Sequence, residues 1–389
     1  MAGIPRAATT ERYGTRRRCR NRTALRRLAC LVVAGAATHV PPAPAAELVV
    51  GEGAAYPLPS AAAAAVRPGD RVRILPGTYY DCVVWAVDGI EIVGSGEATR
   101  ITDRICQGKA VFVVTGNGIM IRGLVLTRAR SLDGNAAGIR LEGRDLTLRD
   151  VVIEDNQDGV VAPGIAGGTL RIEDSVFRAN GTASAESPTG AVRVGPLERL
   201  VVTRTQFTAG RGESVITSAA RSTEIANSLI EAVPAGRGPT VRVEGGLLME
   251  GTTIAPGEGP RGRRAAVLAV GGDGAGDLIL RGNRLAGEGT LLVNWSGREA
   301  RLAGNEVGRA SLAETRDGAW INRARGLARA AYDAVREAFR DARRALKALL
   351  RSILRGDEAQ AGALPVGATS MAMGRGRGVR RGGRRAVRR

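Results

Sequence analysis

One eight-residue pattern recurs through the middle of the chain and leaves few folds open to it. It runs apolar, any, apolar, any, small or polar, then apolar three residues further on. It begins at Ile119, Leu146, Leu170, Leu200, Thr223, Leu247, Leu278 and Ala300, so successive starts are 27, 24, 30, 23, 24, 31 and 22 residues apart. Self-similarity at a nearly fixed period means stacked units, each too small to bury its apolar face alone. Period-two alternation within each unit indicates strand, not helix. A second short run precedes most units: 138–143, 158–164, 190–195, 214–219, 240–245, 267–271 and 290–295. Two or three short strands per ~24 residues, with Gly, Asn and Asp at the corners, make one rung of a parallel β-solenoid. A propeller blade would need a unit of about 40 residues, and helical repeats a 3.6-residue period.

On this reading Ile139, Leu141, Val192, Val194, Val241 and Val243 point inward and stack on their equivalents one rung away, about 4.8 Å apart. Gly123, Gly251, Gly282 and Gly304, with Asn227 at the same pattern position, supply corners that need positive φ or close approach. Earlier residues extend the object: a strand from Asp70 to Asp81 with a turn at Pro76-Gly77-Thr78, then Ile90–Val93 and Val111–Val114. Cys82 and Cys106 then fall one rung apart, within reach of a disulfide, the alternative being two buried thiols.

Charge divides the chain. Of the net +19, residues 1–46 carry +8, 319–355 carry +7 and 375–389 carry +8, while 47–318 hold 30 Lys/Arg against 32 Asp/Glu. The solenoid region is therefore no general basic nucleic-acid binder. In 1–46 a basic stretch runs into a short apolar one, Leu28 to Ala37, then small residues ending at Ala46. That order predicts a secretory signal peptide and a secreted or periplasmic protein. The only histidine, His39, lies in that leader. Residues 47–389 therefore have no His-based acid–base catalysis, no Ser-His-Asp triad and no His-bearing zinc site.

The chain resembles secreted bacterial right-handed parallel β-helix repeat proteins of the pectate-lyase-like superfamily. The resemblance covers roughly residues 48–310. It is most specific at the opening: Val50-Gly51-Glu52-Gly53, Tyr56-Pro57-Leu58, the Ala-rich stretch at 61–65, Arg67-Pro68-Gly69-Asp70 and Leu75-Pro76-Gly77-Thr78-Tyr79. It implies an all-β, right-handed parallel β-helix with a short N-terminal cap helix at 61–65, and a glycan partner. The Gly-His-Gly motif of polygalacturonase-type members has no counterpart here. Lyases of the fold hold calcium on clustered carboxylates and use an Arg, Lys or Tyr as base. The middle rungs here, Val192-Arg193-Val194, Val215-Ile216-Thr217 and Val241-Arg242-Val243, are plainer than those of active relatives.

Outward positions of the shorter strand form a column read as Arg140, Val161, Arg193, Ile216, Arg242, Ala269 and Leu292, with Glu142, Glu213 and Glu244 nearby. Arg140, Glu142, Arg193, Arg242 and Glu244 are the glycan-binding candidates, because a guanidinium recognises carboxylates bidentately. The bland alternative is a solvated face of alternating charge. The densest acidic group includes Asp150, Asp155 and Asp158, candidates for calcium, although Asp is also an ordinary turn residue. No other cofactor is expected, and no catalytic residue is assigned. Trp85, Trp295, Tyr79 and Tyr80 suit packing better than sugar stacking.

Residues 319–355 change to helical periodicity, with Trp320, Leu327, Ala331, Val335, Phe339, Ala342, Leu346, Leu349 and Ile353 on one stripe and Arg opposite. This basic amphipathic helix either covers the open end of the solenoid or packs on itself, or else lies on an anionic membrane. Residues 356–389 form an Arg/Gly-rich tail expected to be disordered, suited to an anionic surface by charge alone. The domain division is thus 1–46, 47–318, 319–355 and 356–389. The expected function is a monomeric, non-catalytic module binding a polysaccharide or other cell-envelope glycan, with no specific nucleic-acid partner. Alternatives are a polysaccharide lyase acting on an acidic glycan, and a structural or adhesive surface protein using the basic tail.

Overall fold

The structure is a computed structural model and describes residues 45–182, 188–233, 238–255, 265–271, 276–309 and 311–315. The expected leader (apart from residues 45 and 46), the basic helix at 319–355 and the tail at 356–389 lie outside those residues.

The chain winds into ten successive turns between Arg71 and Thr315, each laying strands on three faces. Face A runs from Glu47–Val50 and Arg71–Ile74 to Ala300–Ala303, and face B from Gly77–Tyr79 to Glu306–Val307. Face C comprises Val83–Trp85, Ala110–Val114, Ala137–Leu141, Asp158–Ala162, Val192–Val194, Ile216–Ser218, Val241–Val243, Ala265–Val270, Thr290–Trp295 and Ser311–Thr315. Every strand pairs in parallel with its equivalent on the next turn. Faces A and B merge into one sheet because Ile119–Thr127 and Leu146–Glu154 run unbroken through the corner between them. The protein is a parallel β-solenoid.

The eight pattern starts are direct register partners: Ile119 with Leu146, then Leu170, Leu200, Thr223, Leu247, Leu278 and Ala300. The six inward positions named on face C are all buried. The fifth residue of every repeat adopts positive φ, between 48° and 64°, whether it is Gly123, Asp150, Asp174, Arg204, Asn227, Gly251, Gly282 or Gly304. Immediately after it runs a polar column: Ser175, Thr205, Ser228, Thr252, Asn283 and Asn305. Thr252 N donates to Asn283 Oδ1 at 3.0 Å, and Asn283 N to Asn305 Oδ1 at 3.0 Å, so this column links turns where ladder bonds are interrupted. A second ladder lies at the corner after face B, where Asn156 N and Nδ2 both donate to Asn180 Oδ1 at 3.2 Å. Between the corners the core is aliphatic, with Phe177 stacked on its register partner Phe207 at 4.9 Å.

Two details of the opening differ from expectation. Helix α1 spans Pro59–Ala63, two residues earlier than 61–65, because Pro59 presets the first helical turn. The Asp81 carboxylate accepts Ser60 N at 2.8 Å, satisfying one backbone donor at that end. Asp70 to Asp81 is not one strand: Leu75 and Pro76 make the corner, and Gly77–Tyr79 already belongs to face B. Cys82 and Cys106 form a disulfide with Cα atoms 5.4 Å apart, joining the approaches to two successive face-C strands.

Candidate functional site

Face C brings together the side chains that the sequence singles out. Register places Val113, Arg140, Val161, Arg193, Thr217, Arg242, Leu268, Val293 and Glu314 in one outward column. Arg140, Val161, Arg193 and Arg242 stand where expected. Ile216, Ala269 and Leu292 do not: all three point inward and are fully buried, and Thr217, Leu268 and Val293 take their places. The expected positions were out by one residue, and a one-residue offset in a strand exchanges its two faces. The three arginines therefore recur at every second turn, about 10 Å apart.

Each arginine is braced by a carboxylate of the same face. Arg140 Nε lies 2.8 Å from Glu142 Oε1, which also takes Lys109 Nζ at 2.7 Å. Arg193 Nη2 lies 2.6 Å from Asp158 Oδ2, and Gly190 N donates to Asp158 Oδ1 at 2.9 Å. Arg242 Nη2 approaches Glu244 Oε1 more loosely, at 3.7 Å. The three arginine side chains stay about a third exposed, at 29%, 31% and 33%. Glu213 lies in the corner before Ile216–Ser218 rather than on the strand.

The two tightly held carboxylates titrate in opposite directions. Burial raises Glu142, but hydrogen bonds from Lys109 and Arg140 outweigh it, and the group sits below its ordinary range. Burial also raises Asp158, and there Arg193 and Gly190 N only partly offset it, so this carboxyl is held above its ordinary range. Sequence reasoning missed this pair and the role of Lys109, because their partners lie 35 and 33 residues away along the chain.

The acidic group at 150–158 does not converge. Asp150 occupies the positive-φ corner between faces A and B, Asp155 the corner after face B, and Asp158 the start of a face-C strand. Asp155 Oδ1 is taken by Arg130 at 2.8 Å and Arg211 at 2.5 Å, and Asp158 by Arg193. Among the described residues no three His, Cys, Asp or Glu side chains gather as a metal site. The calcium candidates are thus separated by the corners of the turn that bears them. Trp85 is buried edge-on against Phe112, and Tyr79 is buried with its hydroxyl donating to Leu75 O at 2.9 Å, both packing roles. Tyr80 is exposed, and Trp295 borders an outer apolar cluster.

No protein-family model matches the chain, and no curated protein matches it. Solved structures similar to it include a pectin methylesterase from carrot, 13% identical, covering 69% of this chain and 87% of that one with a TM-score of 0.35. The pectate lyase Pel9A is 16% identical, covering 67% of this chain and 74% of its own, TM-score 0.39. The A-module of a mannuronan C-5 epimerase from Azotobacter vinelandii is 15% identical, covering 64% and 90%, TM-score 0.29. The strand ladders themselves settle the architecture: this chain is a parallel β-helix protein.

Proposed function

We propose that the protein is a non-catalytic module that binds an acidic polysaccharide along face C, through Lys109, Arg140, Arg193 and Arg242. The observation that carries this reading is the ladder of guanidinium groups in one register column, recurring every second turn. Among the described residues Arg140 and Arg193 each commit one nitrogen to a neighbouring carboxylate, and Arg242 stands in a looser ion pair with Glu244. That leaves terminal N–H donors of each for a ligand, Arg193 Nε being buried, and holds the planes of Arg140 and Arg193 in place before the ligand arrives. A polymer whose carboxylates recur at a regular interval suits such a ladder better than a compact ligand does. Four cations against Glu142, Asp158 and Glu244 favour an anion. Glu142 is clamped by two cations, and Asp158 has no exposed side-chain surface, so neither is placed as a free base toward a substrate.

We further propose that the protein works outside the cytoplasm, a reading supported by the Cys82–Cys106 disulfide and by the basic-then-apolar leader. Among the described residues no helix is long and apolar enough to cross a membrane.

The test is retention of the full-length protein on immobilised polyuronate, followed by mass analysis of the polymer. Retention should fall roughly tenfold in the Arg140→Ala, Arg242→Ala double variant and decline with added salt. The polymer should stay intact. Shortened chains with an unsaturated end would replace this reading with a lyase. Unchanged retention in the double variant would remove face C as the binding surface.

A further inference from the structure

The outward column of face C changes character at its last turns. Past Arg242 the register partners are Leu268 and Val293, and only the last turn returns to a charge, Glu314. With Val270, these two form an apolar cluster separate from the interior core, bordered by Trp295. Both point away from the interior, yet each keeps only 8% of its surface exposed. The upstream counterpart, Val113 and Val161, is also buried and packs with Ala110, Ala137 and Cys106 of the disulfide-tied segment. Outward apolar side chains on this face are therefore buried, upstream partly by the disulfide-tied segment.

We propose that the beginning of residues 319–355 folds back on the outer side of face C and buries Trp320 and Leu327 on Leu268, Val270 and Val293, beside Trp295. The chain leaves its last described strand, Ser311–Thr315, on this same face. Val293 and Leu268 lie one and two turns from Glu314, a span of about 10 Å. Residues 316–318 can bridge about 10 Å when extended, which delivers Trp320 and Leu327 at the cluster. Residues 319–355 offer an apolar stripe with Arg on the opposite side, which stays toward solvent when the stripe is buried. This places the start of the segment on the side of the solenoid, not over its open end. It does not depend on the glycan reading.

Limited trypsin digestion of the full-length protein, read by mass spectrometry, tests it. Both 319–355 and 375–389 are rich in Arg, so the tail is an internal reference. Cleavage at Arg323, Arg325 and Arg329 should be at least about tenfold slower than in the tail, because it tracks the fraction of time this part of the segment is released. Leu268→Asp, Val293→Asp and Leu327→Asp should each abolish most of that protection, and Thr217→Asp, in the same column, should not. Leu327→Asp lies outside the solenoid, so its result stands even if a face-C variant fails to fold. The proposal is overturned if the wild-type segment is cut as fast as the tail, or if protection survives Leu327→Asp. Protection that appears only with anionic phospholipid vesicles would overturn it in favour of a membrane-bound helix.

Discussion

A carboxylate without exposed side-chain surface, as at Asp158, must be held ionised by its neighbours or take up a proton. Arg193 is the neighbour that decides. Arg193→Ala would leave the charge buried with only Gly190 N to bind it, and should cost about 3 kcal/mol at neutral pH. The cost should depend on pH with a definite sign. Burial lifts the folded-state value of Asp158 above that of the unfolded chain, so folding disfavours its ionised form. That penalty is full above the folded value and relieved as pH falls through it toward about 3.9. The variant feels the larger penalty, so its melting temperature should approach wild type as pH is lowered from 7 toward 4. A deficit that widens over that range would mean Asp158 is not the group responsible. Glu142 behaves oppositely: its value is lowered, so its stabilisation is full above the ordinary range and lost as pH falls through the lowered value.

At the scale of the repeat, the corner between faces A and B asks for the left-handed region at every turn, and the chain meets that demand unevenly. Gly251 holds φ +56°, and a Cβ there would lie 2.6 Å from Asn227 Oδ1 of the previous turn. Gly251→Val should therefore destabilise by about 2 kcal/mol, from backbone strain and contact together. Asp150→Gly, at the equivalent exposed corner, should stabilise slightly or be neutral, and thermal melts of the two variants check the contrast. This corner, with inward apolar alternation, is why the repeat was legible from sequence: each turn leaves one small or polar residue between two alternating runs. Face C was less legible toward its end. In Ala265–Val270 and Thr290–Trp295 both sides of the strand are mostly apolar, so alternation could not distinguish inward from outward, and Ala269 and Leu292 were placed a residue away from Leu268 and Val293. Arg140–Glu142 and Arg242–Glu244, two residues apart on their strands, were legible, whereas Lys109–Glu142 and Arg193–Asp158 left no local mark, since loops of different length decide which residues of successive turns meet. The acidic run at 150–158 looked like a cluster because it is contiguous, yet two corners divide it.

At the scale of the molecule, a stack of turns is nearly one-dimensional: each turn is held by its two neighbours, and little couples distant turns. A cross-link between turns should therefore act locally. Cys82–Cys106 ties the first two complete turns, 24 residues apart in sequence, at the end where α1 covers the first face-C strand. Closing such a loop restricts the unfolded chain by about 3 kcal/mol. In a globular core that gain would be shared by the whole domain; here it should stay with the turns it joins. Reduction, or Cys82→Ser with Cys106→Ser, should speed amide exchange across residues 71–114, less so in the following turn, and leave 199–255 unchanged. Exchange followed by mass spectrometry with and without reductant reads this directly. Uniform acceleration through the last turn would show that the ten turns unfold as one cooperative unit, and the disulfide would then count toward the stability of face C as a whole, arginine ladder included.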